Sequence, residues 1–470
     1  MSSRTESTAG TVAADAAPAR ARVVTNADHT ADERFRRLRK YRSVAMPPAV
    51  AKPSFARRLA GWVIGLPGQS LFATAILIFA LASRTASGEA APRGALVETR
   101  HYRVHSDLPE DVVREMAAEL EWCYHRYATR LSSLTPKHDG TRDRHEVRLF
   151  ADHVSYVRHA GATNSGGLYD SRRRLLLAFL GDRGRAGLKK TLRHEAFHQY
   201  AYEALGPGLP LWVNEGLAQL FEHGARVDDH LLLGELPEVP LAIVQRAMHE
   251  DRLFDFERLL RMNQREWFSL MEDRETGSVL YAQTWAMVHF LVYAADSEGR
   301  PLYRDRFNAF LGLVADGRPA MPAFRDQFGS NLPGFRSRFE AWLVQCRPTP
   351  VARELDRHDV LARMLGQLAE RGVRFDRIGD FRDHAVRHAL RLHREEDGIE
   401  RVSDPDVEIY FSDSRGRPLG VDRLRFDLDV AGELPQLVTR PGDGYVYRTR
   451  FHRDPSRGGR IFHETFIHAR

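Results

Sequence analysis

Two histidines, His194 and His198, stand four residues apart with Glu195 directly after the first, in the run from Thr191 to Glu222. On a helix, positions four apart lie one above the other on one face, so both imidazoles can point at a single ion. Neutral imidazole suits Zn2+. A carboxylate one residue past the first histidine stands beside that face, where a general base acting on a water must be. These residues suit hydrolysis by a metal-activated water. A catalytic zinc takes three protein ligands and leaves a fourth position open, so one ligand must come from a second element. Glu215 is the expected third ligand, giving one Zn2+ per chain.

The elements that must position these groups are legible around them. Leu188, Leu192, Ala196, Tyr200 and Leu205 recur at helical spacing, and Gly206, Pro207 and Gly208 end the pattern. Leu217, Leu220 and Phe221 resume it after the break, which puts Glu215 on a second helix. Glu222 lies two turns further along the same face and is open to three roles: a hydrogen bond to a ligand histidine, a rival metal ligand, or a surface carboxylate. Asn214 either caps or orients that helix.

The pair of segments, His194-Glu195-x-x-His198 and Asn214-Glu215-Gly216-Leu217-Ala218, resembles the glutamate zincins (gluzincins). In that family of zinc metallopeptidases an Asn-Glu-Gly-x-Ala helix follows the histidine pair. The resemblance implies zinc held by His194, His198 and Glu215, a water whose proton Glu195 takes and passes to the leaving amine, and no covalent intermediate. The gap between His198 and Glu215 is shorter than in the aminopeptidase branch. That branch's amine-anchoring Gly-x-Met-Glu-Asn strand has no counterpart before His194, so the expectation tilts toward an endopeptidase. Gly166-Gly167-Leu168-Tyr169-Asp170, leading into the apolar run Leu175 to Leu180, is similar to bacterial gluzincin-like domains of unknown function. In zincins such a strand borders the cleft and can pair with an extended peptide. Related zincins also use a tyrosine downstream of the third ligand to donate to the oxyanion. Tyr281 is the residue assigned that role, the alternative being a tyrosine packed in an interior helix.

Other histidine groups lack the pattern. His384 and His388 are four apart, but no glutamate follows the first, and FRDHAVRHALRLHREE reads as a solvated basic helix face. His463, Glu464 and His468 have the wrong spacing for a helical pair and sit in a strand-like alternation. Only Cys123 and Cys346 occur, so no disulfide framework or cysteine zinc site is expected. One bridge or two packed thiols both remain open.

The 470 residues, 43% hydrophobic, suffice for one large or two moderate domains. Residues 1–58 are rich in Ala, Ser, Thr and Arg and are expected to be disordered. Residues 59–83 form an apolar stretch densest from Leu71 to Ala82, read as a signal peptide or membrane anchor, with Met46 as an alternative start. Either reading puts the catalytic domain outside the cytoplasm, in the periplasm or envelope. The net charge of +6 owes much to the N-terminal tail, and no nucleic-acid motif accompanies it, so nucleic acid is not an expected partner.

The expected architecture is α+β. A zincin-like domain spans residues 95–347, with strands at HYRVHS, EVRLFA and LLLAFL followed by a helical half. A separate small α+β unit spans residues 350–470, helical from Leu355 to Glu396 and then made of short strands from Val407 to Ile467. The expected partner is a peptide or protein substrate. The rival reading is a noncatalytic envelope protein that uses the scaffold to bind peptides or partners, although a structural zinc has no use for a base beside an open position.

Overall fold

Strand segments with apolar residues on both faces build the sheet behind the histidine pair. The computed structural model describes residues 94–132, 144–161, 165–182, 184–373, 378–396, 399–405, 424–428, 435–454 and 458–470. The basic segment (1–58), the apolar stretch (59–83) and the SDSRGRP turn lie outside the described residues. Among the described residues no helix is long and apolar enough to cross a membrane.

The first half runs β1 (Ala95–Glu98), β2 (Tyr102–Ser106), α1 (Glu110–Arg130), β3 (His145–Phe150), α2 (His153–Ala160), β4 (Gly167–Asp170), β5 (Leu175–Phe179) and α3 (Gly184–Ala204). The sheet order is β1-β2-β3-β5-β4. β2, β3 and β5 are mutually parallel, and β1 and β4 join antiparallel at the two edges. β5 shows why its sequence is a continuous apolar run, since both sheet faces are covered. Leu176 and Ala178 enter the main core with α1 and α3, whereas Leu177 and Phe179 join Phe150, Tyr156 and Leu168 in a second cluster under α2.

One expectation is corrected here. The run Leu175 to Leu180 is not the strand that borders the site, because β5 lies between β3 and β4. The Gly-rich segment is itself a strand, β4, and that strand forms the edge. Asp170 turns the chain between the two, its carboxylate accepting from the N–H groups of Arg172 and Arg173.

The helical half contains α4 (Leu211–Glu222), a hairpin of β6 (Ala225–Val227) and β7 (His230–Leu232), α5 (Glu238–His249), α6 (Phe256–Arg261), α7 (Gln264–Met271), α8 (Arg274–Tyr293), α9 (Arg304–Ala315), α10 (Ala320–Phe328) and α11 (Leu332–Gln345). α8 is apolar nearly all round and is buried continuously from Gly277 to Val292, as such a helix must be. Asp273 caps it by accepting from the Thr276 N–H.

The C-terminal region holds α12 (Pro350–Glu370), α13 (Ile378–Arg387), β8 (Leu392–Glu396), β9 (Ile399–Ser403), β10 (Leu424–Leu428), β11 (Pro435–Thr439), β12 (Tyr445–Asp454) and β13 (Arg460–Ala469). The helix expected to continue from Leu355 to Glu396 ends at Glu370, and Gly372 then takes a positive φ of 74° that favours glycine. Residues 392–396 pair with β9 as a hairpin. Nor is α13 a wholly solvated face, because Phe381 and Ala385 pack into the cluster of Leu361, Leu365 and Leu437. The RPGDG turn joins β11 to β12, with positive φ at Gly442 and Gly444. The second sheet has the order β10-β11-β12-β13-β6-β7, so the C-terminal strands are continuous with the β6–β7 hairpin from before residue 347. The described residues thus form a mixed α+β fold, as the sequence leads one to expect.

Candidate metal centre

α3 is held in place from behind by α1. Arg193, one residue before His194, donates to the buried Glu119 carboxylate (2.8 Å), whose other oxygen accepts from Arg226 (2.9 Å). The Tyr127 hydroxyl donates to the Arg193 carbonyl (2.6 Å), and the Arg226 guanidinium lies 4.5 Å over the Trp122 ring. These contacts fix the register of α3, so its opposite face presents His194, Glu195 and His198 toward α4 and β4. All three are buried, as is Glu215 on α4.

The structure brings the expected ligand set together. Metal-ligating atoms of His194, His198 and Glu215 lie within 4.8 Å of one another. His194 Nε2 is 3.4 Å and His198 Nε2 3.7 Å from Glu215 Oε2. Ligands at ordinary Zn–N and Zn–O lengths around a tetrahedral ion stand ~3.3 Å apart, so these separations match neighbours in one coordination sphere. His194 Nε2, His198 Nε2 and Glu215 Oε2 are buried and make no hydrogen bond. Buried polar atoms are otherwise nearly always paired, so three such atoms facing one point fit a cation. Two imidazoles and a carboxylate form a donor set suited to zinc.

Glu222 resolves into one of its three possible roles. Its Oε2 is 2.9 Å from His194 Nδ1, on the far side of the ring from Glu215, while Lys190 lies 3.5 Å from its other oxygen. Burial alone would raise its pKa, but Lys190 and His194 hold its carboxyl well below the usual range. An ionised carboxylate only accepts, so Nδ1 of His194 keeps a proton directed at Glu222, and Nε2, on the Glu215 side, is the nitrogen left for an ion. Burial disfavours charge on His194, yet Glu215 and Glu222 outweigh it and raise its pKa well above the ordinary value. At His198 burial dominates and lowers the pKa to about 4, opposed by Glu215. Asn214 lies beside His198 and favours its charged form. The N-cap of α4 is Pro210.

Glu195 stands beside the ligands. Its Oε2 accepts from the Tyr169 N–H of β4 at 3.0 Å, and its Oε1 is buried without a hydrogen-bond partner. Burial pushes its carboxyl up to about 7. β4 comes this close because residue 167 is glycine: a β-carbon there would lie 2.6 Å from Thr191 Cγ2 and 2.9 Å from Glu195 Cγ. The Tyr169 backbone contact has no counterpart in the sequence reading, because a main-chain donor has no side-chain signature. The Gly166-Gly167 pair was its only trace.

Tyr281 is buried on α8, with its ring edge-on to Trp267 at 5.7 Å. Its carbonyl accepts from Gln219 of α4 (3.2 Å), so its backbone lies beside the ligand helix. The other histidine groups play no part in this centre. His384 and His388 stack on each other at 6.2 Å, while His463 bonds Asp359 (3.0 Å) and His468 bonds Asp228 (2.7 Å), both from β13. Cys123 and Cys346 are free and buried.

No curated protein matches the chain. Residues 189–304 match the model of the DUF1570 family, described as a protein of unknown function; the matched stretch holds His194, Glu195, His198, Glu215, Glu222 and Tyr281 but none of the first sheet.

Proposed function

We propose that the protein is a zinc-dependent, endopeptidase-like hydrolase that acts outside the cytoplasm on peptide or protein substrates. The observation that carries this reading is the convergence of three buried, unbonded ligand atoms with a further buried carboxylate, that of Glu195, beside them. His194, His198 and Glu215 would hold the ion, which supplies a Lewis acid for the scissile carbonyl and for a water.

The protein's own groups account for the rest. Glu195 Oε1 takes a proton from that water and delivers it to the leaving amine, while the Tyr169 N–H holds Oε2 in place. Glu222 keeps His194 in the ligating tautomer. Among the described residues β4 is an edge strand next to Glu195, and the part of that edge not used by Glu195 suits main-chain pairing with an extended peptide, a mode that demands few particular side chains. The Tyr281 phenol is assigned the oxyanion contact. The apolar leader at 59–83 supports placement in the periplasm or envelope, secreted or anchored.

The test combines metal analysis with turnover. Purified full-length protein should carry about one tightly held zinc at this centre, lost in Glu215→Ala. Turnover of a quenched-fluorescent peptide library should fall by about 10²–10⁴-fold in Glu195→Gln, with the metal retained. A metal-free wild type would sink the proposal. Metal bound without any Glu195-dependent turnover would favour a peptide-binding protein on the same scaffold.

A further inference from the structure

Away from this centre, a second group of ligating side chains meets at the open end of the β1–β2 connection. His101 lies in that connection, and Glu121 and His125 sit one turn apart on α1. Ligand atoms of the three lie within 4.8 Å of one another. Glu121 Oε1 stands between the rings, hydrogen-bonded to His101 Nδ1 and 3.6 Å from His125 Nε2.

The arrangement is braced before any ion arrives. Glu121 Oε2 accepts from the His101 backbone N–H (3.1 Å), and the His101 carbonyl accepts from the His145 N–H (2.8 Å). The His101 ring stacks on Tyr124 at 3.9 Å with 15° between planes. His101 and His125 face each other nearly perpendicular, 5.5 Å apart at 83°. The ligand histidines of the buried centre stand alike, 4.8 Å apart at 79°. Locked rotamers and a second layer of bonds are what a binding site needs to hold its donors within tolerance.

We propose that His101, Glu121 and His125 form a second metal site, for a late first-row divalent ion such as Zn2+. Two imidazoles and one carboxylate select this class over Mg2+ and Ca2+, which prefer oxygen ligands. Binding displaces the proton between His101 Nδ1 and Glu121 Oε1, and the two atoms separate to the ~3.3 Å of neighbouring ligands. The ion is open to solvent on one side, because the His125 side chain is 54% exposed. It pins the β1–β2 connection to α1.

The site does not depend on the buried centre and can be tested apart from it. Full-length protein stripped with a chelator is dialysed against Zn2+, with Mg2+ as control, and bound metal is measured for wild type, Glu215→Ala, His125→Ala and the double variant. Glu215→Ala should keep one equivalent of zinc, and the double variant should keep none. His125→Ala alone should bind one equivalent fewer than wild type, and because this residue is largely exposed its substitution leaves the core intact. If Glu215→Ala unfolds, the wild type and His125→Ala pair decides alone. No zinc on folded Glu215→Ala, or equal zinc on His125→Ala and wild type, overturns the proposal and leaves a hydrogen-bonded His–Glu pair.

Discussion

Gly167 and Glu222 are the two residues through which the centre is most open to test. A methyl at position 167 has no free space, with Thr191 Cγ2 at 2.6 Å and Glu195 Cγ at 2.9 Å. Gly167→Ala should therefore lower stability by about 1–3 kcal/mol, read by urea unfolding, and displace the base, read as lost turnover with zinc retained. A fully stable and active Gly167→Ala would refute the close approach. Glu222→Ala removes the acceptor that fixes the His194 tautomer, so zinc affinity measured against a competing chelator should weaken by about 10–100-fold. Unchanged affinity would show the contact to be idle. At this scale the grouping of His194, His198 and Glu215 was legible in the sequence, because helical geometry puts the two histidines on one face. The sequence was silent on the Tyr169 N–H. It left Glu222 open because a carboxylate on the ligand-helix face can reach either ring nitrogen's side.

At the scale of elements, the ligand helix depends on how closely α4 and α8 meet. A β-carbon on Gly216 would lie 2.6 Å from the Thr284 carbonyl oxygen and 2.5 Å from Val288 Cγ2. The glycine of the Asn-Glu-Gly segment thus has a packing reason, independent of the metal. Gly216→Ala should cost about 1–3 kcal/mol of overpacking, offset only in part by ~1 kcal/mol of better helix propensity. Denaturant unfolding of the two forms decides it, and a stabilised variant would contradict the tight crossing. Long periodic helices such as α3 and α8 were easy to read, because tertiary packing reinforces their pattern. β4, β6 and β7 were not, since strands this short have no room for an alternation to show itself. The helix drawn through residues 371–396 failed because basic, polar residues at 391–396 carry no strong preference until β9 pairs with them.

At the scale of the whole molecule, a sensitivity to acid is expected from groups that lie apart from the candidate metal centre. His358 is buried between the hydroxyls of Thr449 and Thr439, and burial, with Arg357 nearby, lowers its pKa to about 3. His289 is buried with its Nε2 3.0 Å from the Gly234 carbonyl, and burial lowers its pKa to about 4. In the unfolded chain both titrate near 6.5, so below that pH the unfolded state binds protons that the folded state refuses. Stability is therefore full above about pH 6.5 and declines below it, by up to about 1.4 kcal/mol per pH unit for each histidine. Unfolding free energies at pH 7, 6 and 5, above most of the carboxylate range, should show this slope, and His289→Gln should reduce it. A flat profile would mean that the rings are hydrated or charged when folded.

β13 reaches the first turns of α3 as well as its own sheet. Glu464 pairs with Lys189 at 2.6 Å across a sequence separation of 275 residues, and a β-carbon on Gly184 would meet the Phe462 ring at 2.5 Å. During synthesis at ordinary rates, on the order of tens of seconds elapse between the emergence of the helix that bears the histidine pair and that of the strand completing its surroundings. For that interval the nascent chain holds its ligand helix without one of the walls it ends up against. The helix that carries the candidate metal centre therefore gains its last packing partner late, after most of the polypeptide has left the ribosome.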